Sequence, residues 1–258
     1  MKKEYIIAGN WKMYKTVKES LDFVEALEEK VSALPRNEAV EILVFPPFTS
    51  LYALAGKSHK IKTGAQNLHF EEKGAFTGEI SPLMLAGLVD YVLIGHSERR
   101  QIFHETDAEI NKKIKTALNH GFQPVLCIGE TLDEREAGKT LSTIQTQLDQ
   151  DLDGLSAEEI KKLVIAYEPV WAIGTGKNAT PQQAQEAHAF IREILKKKIA
   201  FPGAAEDTRI LYGGSVKPDN SYDLLSRPDV NGALIGGASL KIADFFVIIQ
   251  DAYKLADG

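Results

Sequence analysis

Along the chain, short runs of apolar, often β-branched residues alternate with longer stretches in which apolar positions recur at helical spacing. Eight of the short runs read as strands: Tyr5–Ala8, Glu41–Phe45, Ile61–Ala65, Tyr91–Ile94, Gln123–Ile128, Leu163–Tyr167, Arg209–Tyr212 and Ala233–Ile235. A continuous apolar run bounded by turn residues fits a strand covered on both faces. Helical stretches such as Val17–Leu34, Ala108–Asn119 and Pro181–Lys198 fill most of the gaps. The last opens with Thr180-Pro181, a capping hydroxyl followed by a proline at the first helical position, where the missing N–H has no partner to lose. This alternation is the pattern of repeated βα units on a parallel sheet. No Ser/Gly-rich linker or shift of composition divides residues 1–258, so one domain is expected, and eight units favour closure into an α/β fold of the (β/α)8 barrel type over an open sheet.

Composition narrows the function classes. With 44% hydrophobic and 26% charged residues the chain has an ordinary globular balance. A formal net charge of −6 argues against a nucleic-acid-binding body, which would display a basic face, although a local positive site could still hold a small anion. The single Cys127 excludes an intrachain disulfide framework and a multi-cysteine zinc site, and points to a reducing compartment. The apolar run after Met1-Lys-Lys is too short for a signal peptide, and nowhere do about twenty apolar residues occur together. A cytoplasmic protein that does not enter membranes is therefore expected, and the glycosylation-type triplet Asn178 to Thr180 carries no meaning in that setting.

The unusual polar residues and glycines fall at the carboxyl ends of the expected strands: Asn10 and Lys12 after the first, Gln66 and Asn67 after the third, His96 and Glu98 after the fourth, Glu168 after the sixth, Gly213 to Ser215 after the seventh and Gly236 to Ser239 after the eighth. In a closed barrel those ends meet at one rim, where such enzymes build their active sites. Glu168 leaves an apolar strand and is followed by Pro169, which stops the strand, and by a loop containing Gly174 and Gly176. The arrangement reads as a base beneath a lid. The glycine pairs Gly213-Gly214 and Gly236-Gly237 lie on neighbouring units, where backbone N–H groups can cradle a phosphate, although either pair alone would read as turn glycines.

His96, with Ser97 as a possible N-cap, would sit beside a helix N-terminus whose dipole disfavours imidazolium, leaving a neutral hydrogen-bond donor; a structural turn is the alternative. Lys12 could face an anion at the rim. Cys127 among Val125, Leu126 and Ile128 reads as a packed thiol rather than a nucleophile. Three competing motifs fail. Gly174 to Ala179 fits the dinucleotide pattern, but the next strand ends Leu211-Tyr212-Gly213 without the acidic residue that pattern needs. A phosphate-loop reading around Lys177 has Trp171 for its first glycine and Asn178 for its hydroxyl residue. The His96-x-Glu98 spacing lacks the cysteine pair of a zinc deaminase, and no other metal motif appears.

The stretches Gly9-Asn-Trp-Lys-Met13, Gly64-Ala-Gln-Asn67, Lys73 to Glu79, Ile94 to Arg100, Cys127 to Glu130, Ala166 to Lys177, Tyr212 to Ser215 and Gly236 to Leu240 together resemble the triosephosphate isomerase family from end to end. The resemblance implies a TIM barrel that interconverts dihydroxyacetone phosphate and D-glyceraldehyde 3-phosphate, in glycolysis and gluconeogenesis, without a cofactor or metal. It implies Glu168 as the base, a neutral His96 polarising the carbonyl, Lys12 as fixed positive charge, Asn10 orienting oxygens and Glu98 supporting Lys12. Gly174, Ser215, Gly236 and Gly237 would offer N–H groups to the phosphate beneath a lid from Pro169 to Ala179. It also implies a homodimer in which the Thr77 loop reaches into the partner. Tyr14 departs from the family's usual Asn and Asn231 from its usual Asp. A different phosphate-binding barrel isomerase would leave Asn10, Lys12 and His96 unexplained beside Glu168. A non-catalytic scaffold that kept the barrel is the alternative from another class.

Overall fold

The computed structural model describes residues 3–173, 179–199 and 207–257. Eight strands, β1 (Tyr5–Asn10), β2 (Val40–Phe45), β3 (Ile61–Ala65), β4 (Tyr91–Ile94), β5 (Gln123–Ile128), β6 (Val164–Tyr167), β7 (Ile210–Tyr212) and β8 (Gly232–Ile235), pair in parallel in chain order. β8 returns to β1 with Ile6 opposite Gly232 and Gly9 opposite Ile235, closing the barrel. All eight expected strands are present, with ends differing by at most two residues. Asn10 is the last residue of β1 rather than lying beyond it, because it stays in register opposite Phe45.

Strand geometry explains why both alternating sets along each strand are apolar. Ile6, Ala8, Leu43, Phe45, Tyr91, Leu93, Val125, Cys127, Val164, Ala166, Leu211 and Leu234 form one cluster, which fills the barrel. The residues between them, such as Ile7, Val44, Val92, Leu126 and Ile165, belong to a second cluster with the helices. Fully burying each large aliphatic side chain contributes roughly 1.5–3 kcal/mol, so the two layers together hold the strand ends rigidly in place.

Several helix starts are set by a local code. Thr16 with Glu19, Thr106 with Glu109, Thr131 with Glu134 and Ser156 with Glu159 form reciprocal capping boxes, each cap contributing about 1 kcal/mol. Thr180 and Gln183 form the same exchange ahead of the helix Pro181–Ile199, as Thr180-Pro181 suggests. The helix expected over Val17–Leu34 ends at Ser32, and the one expected from Ala108 begins at Asp107. Among the described residues no helix is long and apolar enough to cross a membrane.

Candidate active site

The barrel gathers most of the polar rim residues into one cleft. Asn10, Lys12, His96, Glu168, Ser215, Gly236 and Gly237 all line a cavity of about 820 Å³. Gly174 lies outside the described residues, as does the rest of the central stretch of the expected lid, residues 174–178. Glu98 does not line the cleft but stands behind Lys12, with its carboxylate 2.7 Å from Lys12 Nζ.

Glu168 follows β6 directly, and its backbone is tied on both sides. Its N–H donates to the Ile128 carbonyl at 2.7 Å, while Gly213 N–H donates to the Tyr167 carbonyl at 2.7 Å. The side chain crosses Gly213, where a Cβ would come 2.8 Å from Glu168 Cγ, so glycine is what leaves room for the carboxylate. That carboxylate is 2% exposed. It accepts the Ser97 N–H at 2.9 Å and the Ser97 hydroxyl at 3.4 Å, and Oε1 lies 3.0 Å from His96 Nε2. Burial pushes the Glu168 carboxyl up, but His96, the Ser97 N–H and the charge of Lys12 outweigh it and leave it below the ordinary carboxylate value. A buried group that remains ionised is equipped to accept a proton.

The short helix Ser97–Gln101 begins differently from the expectation. His96, not Ser97, is its N-cap, and His96 Nδ1 accepts the Glu98 N–H at 3.2 Å. A ring nitrogen that accepts from a backbone donor carries no proton, so the proton of the neutral ring sits on Nε2, which faces Glu168 and the cleft. Ser97 instead lends its N–H to the Glu168 carboxylate.

Lys12 adopts a left-handed backbone, with φ of 51°. For a residue with a Cβ this costs roughly 1–2 kcal/mol. Two side chains hold it there: Asn10 Oδ1 accepts the Lys12 N–H at 3.0 Å, and Gln66 Nε2 donates to the Lys12 carbonyl at 2.8 Å and to the Phe45 carbonyl at 2.9 Å. The ammonium therefore projects to the rim from a backbone fixed at both ends, beside Gly236, whose added Cβ would lie 3.6 Å from Lys12 Cε. Asn67 turns away from the cleft and accepts Lys113 Nζ at 2.9 Å.

Around Pro169, Glu130 is fully buried and accepts Tyr167 Oη at 3.0 Å and Trp171 Nε1 at 2.9 Å, so one carboxylate grips the residues on both sides of Glu168 and Pro169. Cys127 is fully buried, and burial followed by the nearby Glu168 pushes its thiol well above the usual value, which fits a packed thiol.

Compared with known proteins, residues 5–252 match the family model described as Triosephosphate isomerase. The chain belongs to the triosephosphate isomerase family. The triosephosphate isomerase of Carboxydothermus hydrogenoformans is 51% identical over 253 residues, spanning 97% of this chain and 99% of that protein. The two expected departures from the family's usual residues differ in setting. Tyr14 is 59% exposed at the mouth of the cleft. Asn231 accepts Arg192 Nη2 at 2.8 Å and the Ile210 N–H at 3.3 Å, and its Nδ2 donates to the Glu4 carbonyl at 3.4 Å. An aspartate there would keep the two acceptor contacts but lose the donor to Glu4.

The sequence places Gln66 at the rim without assigning it a role, and assigns none to the backbone N–H of Ser97. An N–H has no residue-type signature, and Gln66 acts on carbonyls far away in sequence.

Proposed function

We propose that the cleft isomerises a triose phosphate through the residues gathered at its rim. As a triose-phosphate isomerase, the chain interconverts dihydroxyacetone phosphate and D-glyceraldehyde 3-phosphate. Glu168 accepts a proton from the carbon beside the carbonyl, forming an enediolate, and returns that proton to the neighbouring carbon. The single observation that carries this reading is the buried, ionised Glu168 carboxylate 3.0 Å from His96 Nε2. A base and a neutral donor that close can act on adjacent atoms of one small substrate.

His96 polarises the carbonyl with its Nε2 proton and moves protons between the two oxygens. Lys12 supplies positive charge where the enediolate gathers negative charge, a stabilisation that grows as water is excluded. Asn10 orients the substrate oxygens in addition to holding Lys12. Glu98 keeps the Lys12 ammonium in place. Ser215, Gly236 and Gly237 offer N–H groups to the phosphate, with Gly174 completing the cradle. The proton moves within one substrate and no electron leaves it, so the reaction calls for no redox cofactor.

The working form in this reading is a cytoplasmic homodimer. Support comes from the large apolar side chains exposed on units following β1 to β4, among them Met13, Phe76, Ile102 and Phe103. The test is kcat/KM for glyceraldehyde 3-phosphate in the purified protein beside Glu168→Gln. Rapid turnover that collapses in the variant supports the assignment of the base; unchanged turnover in the variant overturns it.

A further inference from the structure

Glu168 is held by its backbone as much as by its carboxylate, and the segment that holds it is Ile128-Gly129-Glu130. Glu168 N–H donates to the Ile128 carbonyl at 2.7 Å, and Val170 N–H donates to the Glu130 carbonyl at 3.1 Å. Between those two bonds Gly129 packs so closely that a Cβ there would overlap the Glu168 carbonyl. Any displacement of the Gly129 peptide is therefore passed directly to the backbone of the base.

Packing does not hold that peptide on its other side. A second cavity of about 140 Å³ borders Gly129, Cys127 and Glu168, and Gln147 forms part of its wall. Gln147 comes from the middle of the helix Thr140–Asp151, which is anchored in the core by Ile144 and Leu148. Its amide closes a two-point clamp on one residue: Oε1 accepts the Gly129 N–H at 2.8 Å, and Nε2 donates to the Gly129 carbonyl at 3.2 Å. A primary amide carries its donor and its acceptor on separate atoms, so it can serve a backbone N–H and a backbone carbonyl together.

We propose that Gln147 is a positioning residue for the isomerisation. Its amide fixes the Gly129 peptide, and through Gly129 the placement of Glu168 over the substrate. This rests on the reading of Glu168 as the base. Gln147 itself does not line the cleft, and both ends of its amide bond to Gly129 rather than to the Glu168 carboxylate. Productive proton transfer needs the reacting groups placed within about 0.5 Å, and errors of about 1 Å cost up to a hundredfold. Loss of the clamp should therefore act on the chemical step and spare the phosphate cradle on β7 and β8, which Gln147 does not reach.

The experiment compares Gln147→Leu and the milder Gln147→Asn, which keeps the amide but shortens its reach, with Leu148→Ala on the same helix. Rates are expressed per folded molecule, and inhibition by inorganic phosphate reports the cradle. The expected result is a fall in kcat of about tenfold in Gln147→Leu and a smaller fall in Gln147→Asn, with KM and phosphate inhibition within about twofold of the parent. Leu148→Ala should lower the melting temperature at least as much while leaving kcat near the parent value. Parent-like kcat in both Gln147 variants overturns the proposal, as does an equal loss in Leu148→Ala. Glu168→Gln, assayed alongside, separates the two readings: if it collapses turnover while the Gln147 variants do not, only the positioning role fails.

Discussion

The Glu168 carboxylate is anchored to the Ser97 backbone N–H at 2.9 Å, with the Ser97 hydroxyl a longer 3.4 Å away. Of the two Ser97 donors to Glu168 the backbone one is thus the closer, and side-chain substitution leaves it intact. Ser97→Ala should keep kcat within about threefold of the parent, because the weaker of the two contacts is lost. Glu168→Asp withdraws the carboxylate by one methylene from Ser97 and from the substrate carbon alike. It should lower kcat by about 10²–10⁴, the usual contribution of a positioned base, while inhibition by inorganic phosphate stays nearly constant. Steady-state kinetics on both variants check the contrast; a Ser97→Ala loss as large as that of Glu168→Asp would move the anchor to the hydroxyl.

Lys12 gives a second, independent test. Its ammonium is 2.7 Å from Glu98 and its strained backbone is held by Asn10 and Gln66. Lys12→Met keeps the length and apolar stem but removes the charge, so turnover should drop by at least about a hundredfold. Unlike a change at Glu168, it should also weaken phosphate inhibition, since the missing charge serves a dianion. Near-normal activity would remove Lys12 from the mechanism.

Strand existence and the convergence of the rim residues were legible in the sequence because both follow from short-range signals. Apolar runs such as Val125 to Ile128 mark buried strands, and closure of the barrel then brings Asn10, His96 and Glu168 together without further information. What escaped were contacts made through backbone atoms. The His96 cap, the Ser97 N–H on Glu168 and the Gln147 clamp on Gly129 depend on where a peptide group points. Residue type carries no record of that direction, so propensity points to Ser97 as the cap although His96 does the capping.

A buried histidine away from the cleft sets a pH dependence of stability. His188 is fully buried, 5.8 Å from the Tyr167 ring and 6.3 Å from the Tyr212 ring, with Nδ1 3.2 Å from the Asp229 carbonyl. Burial pushes its pKa down from 6.5 to about 4. Between those values the unfolded chain binds a proton that the folded chain refuses. The stability associated with neutral His188 is complete above about pH 6.5 and is lost as pH falls toward 4, to the extent of about 3 kcal/mol. Denaturant unfolding at several pH values should show His188→Gln declining less steeply than the parent across this window. Parallel curves would mean that His188 does not carry the proton linkage.

The last prediction concerns assembly. Met13 is 95% exposed, and Tyr52, Phe76, Met84, Ile102 and Phe103 are also exposed, all on units that follow the four consecutive strands β1 to β4. Apolar side chains concentrated on one half of a barrel mark a surface that water does not favour and a second copy can cover. The Thr77 loop emerges from that half, with Phe76 packed on His69 at 4.3 Å between ring centroids. Light scattering should give twice the 28.4 kDa chain mass. Ile102→Asp introduces a charge that would be desolvated in the contact, so it should yield monomers with lower kcat, provided the partner's loop completes the site. A monomeric variant with parent-like kcat would separate assembly from catalysis. A parent protein that is itself monomeric and fully active would overturn the dimer.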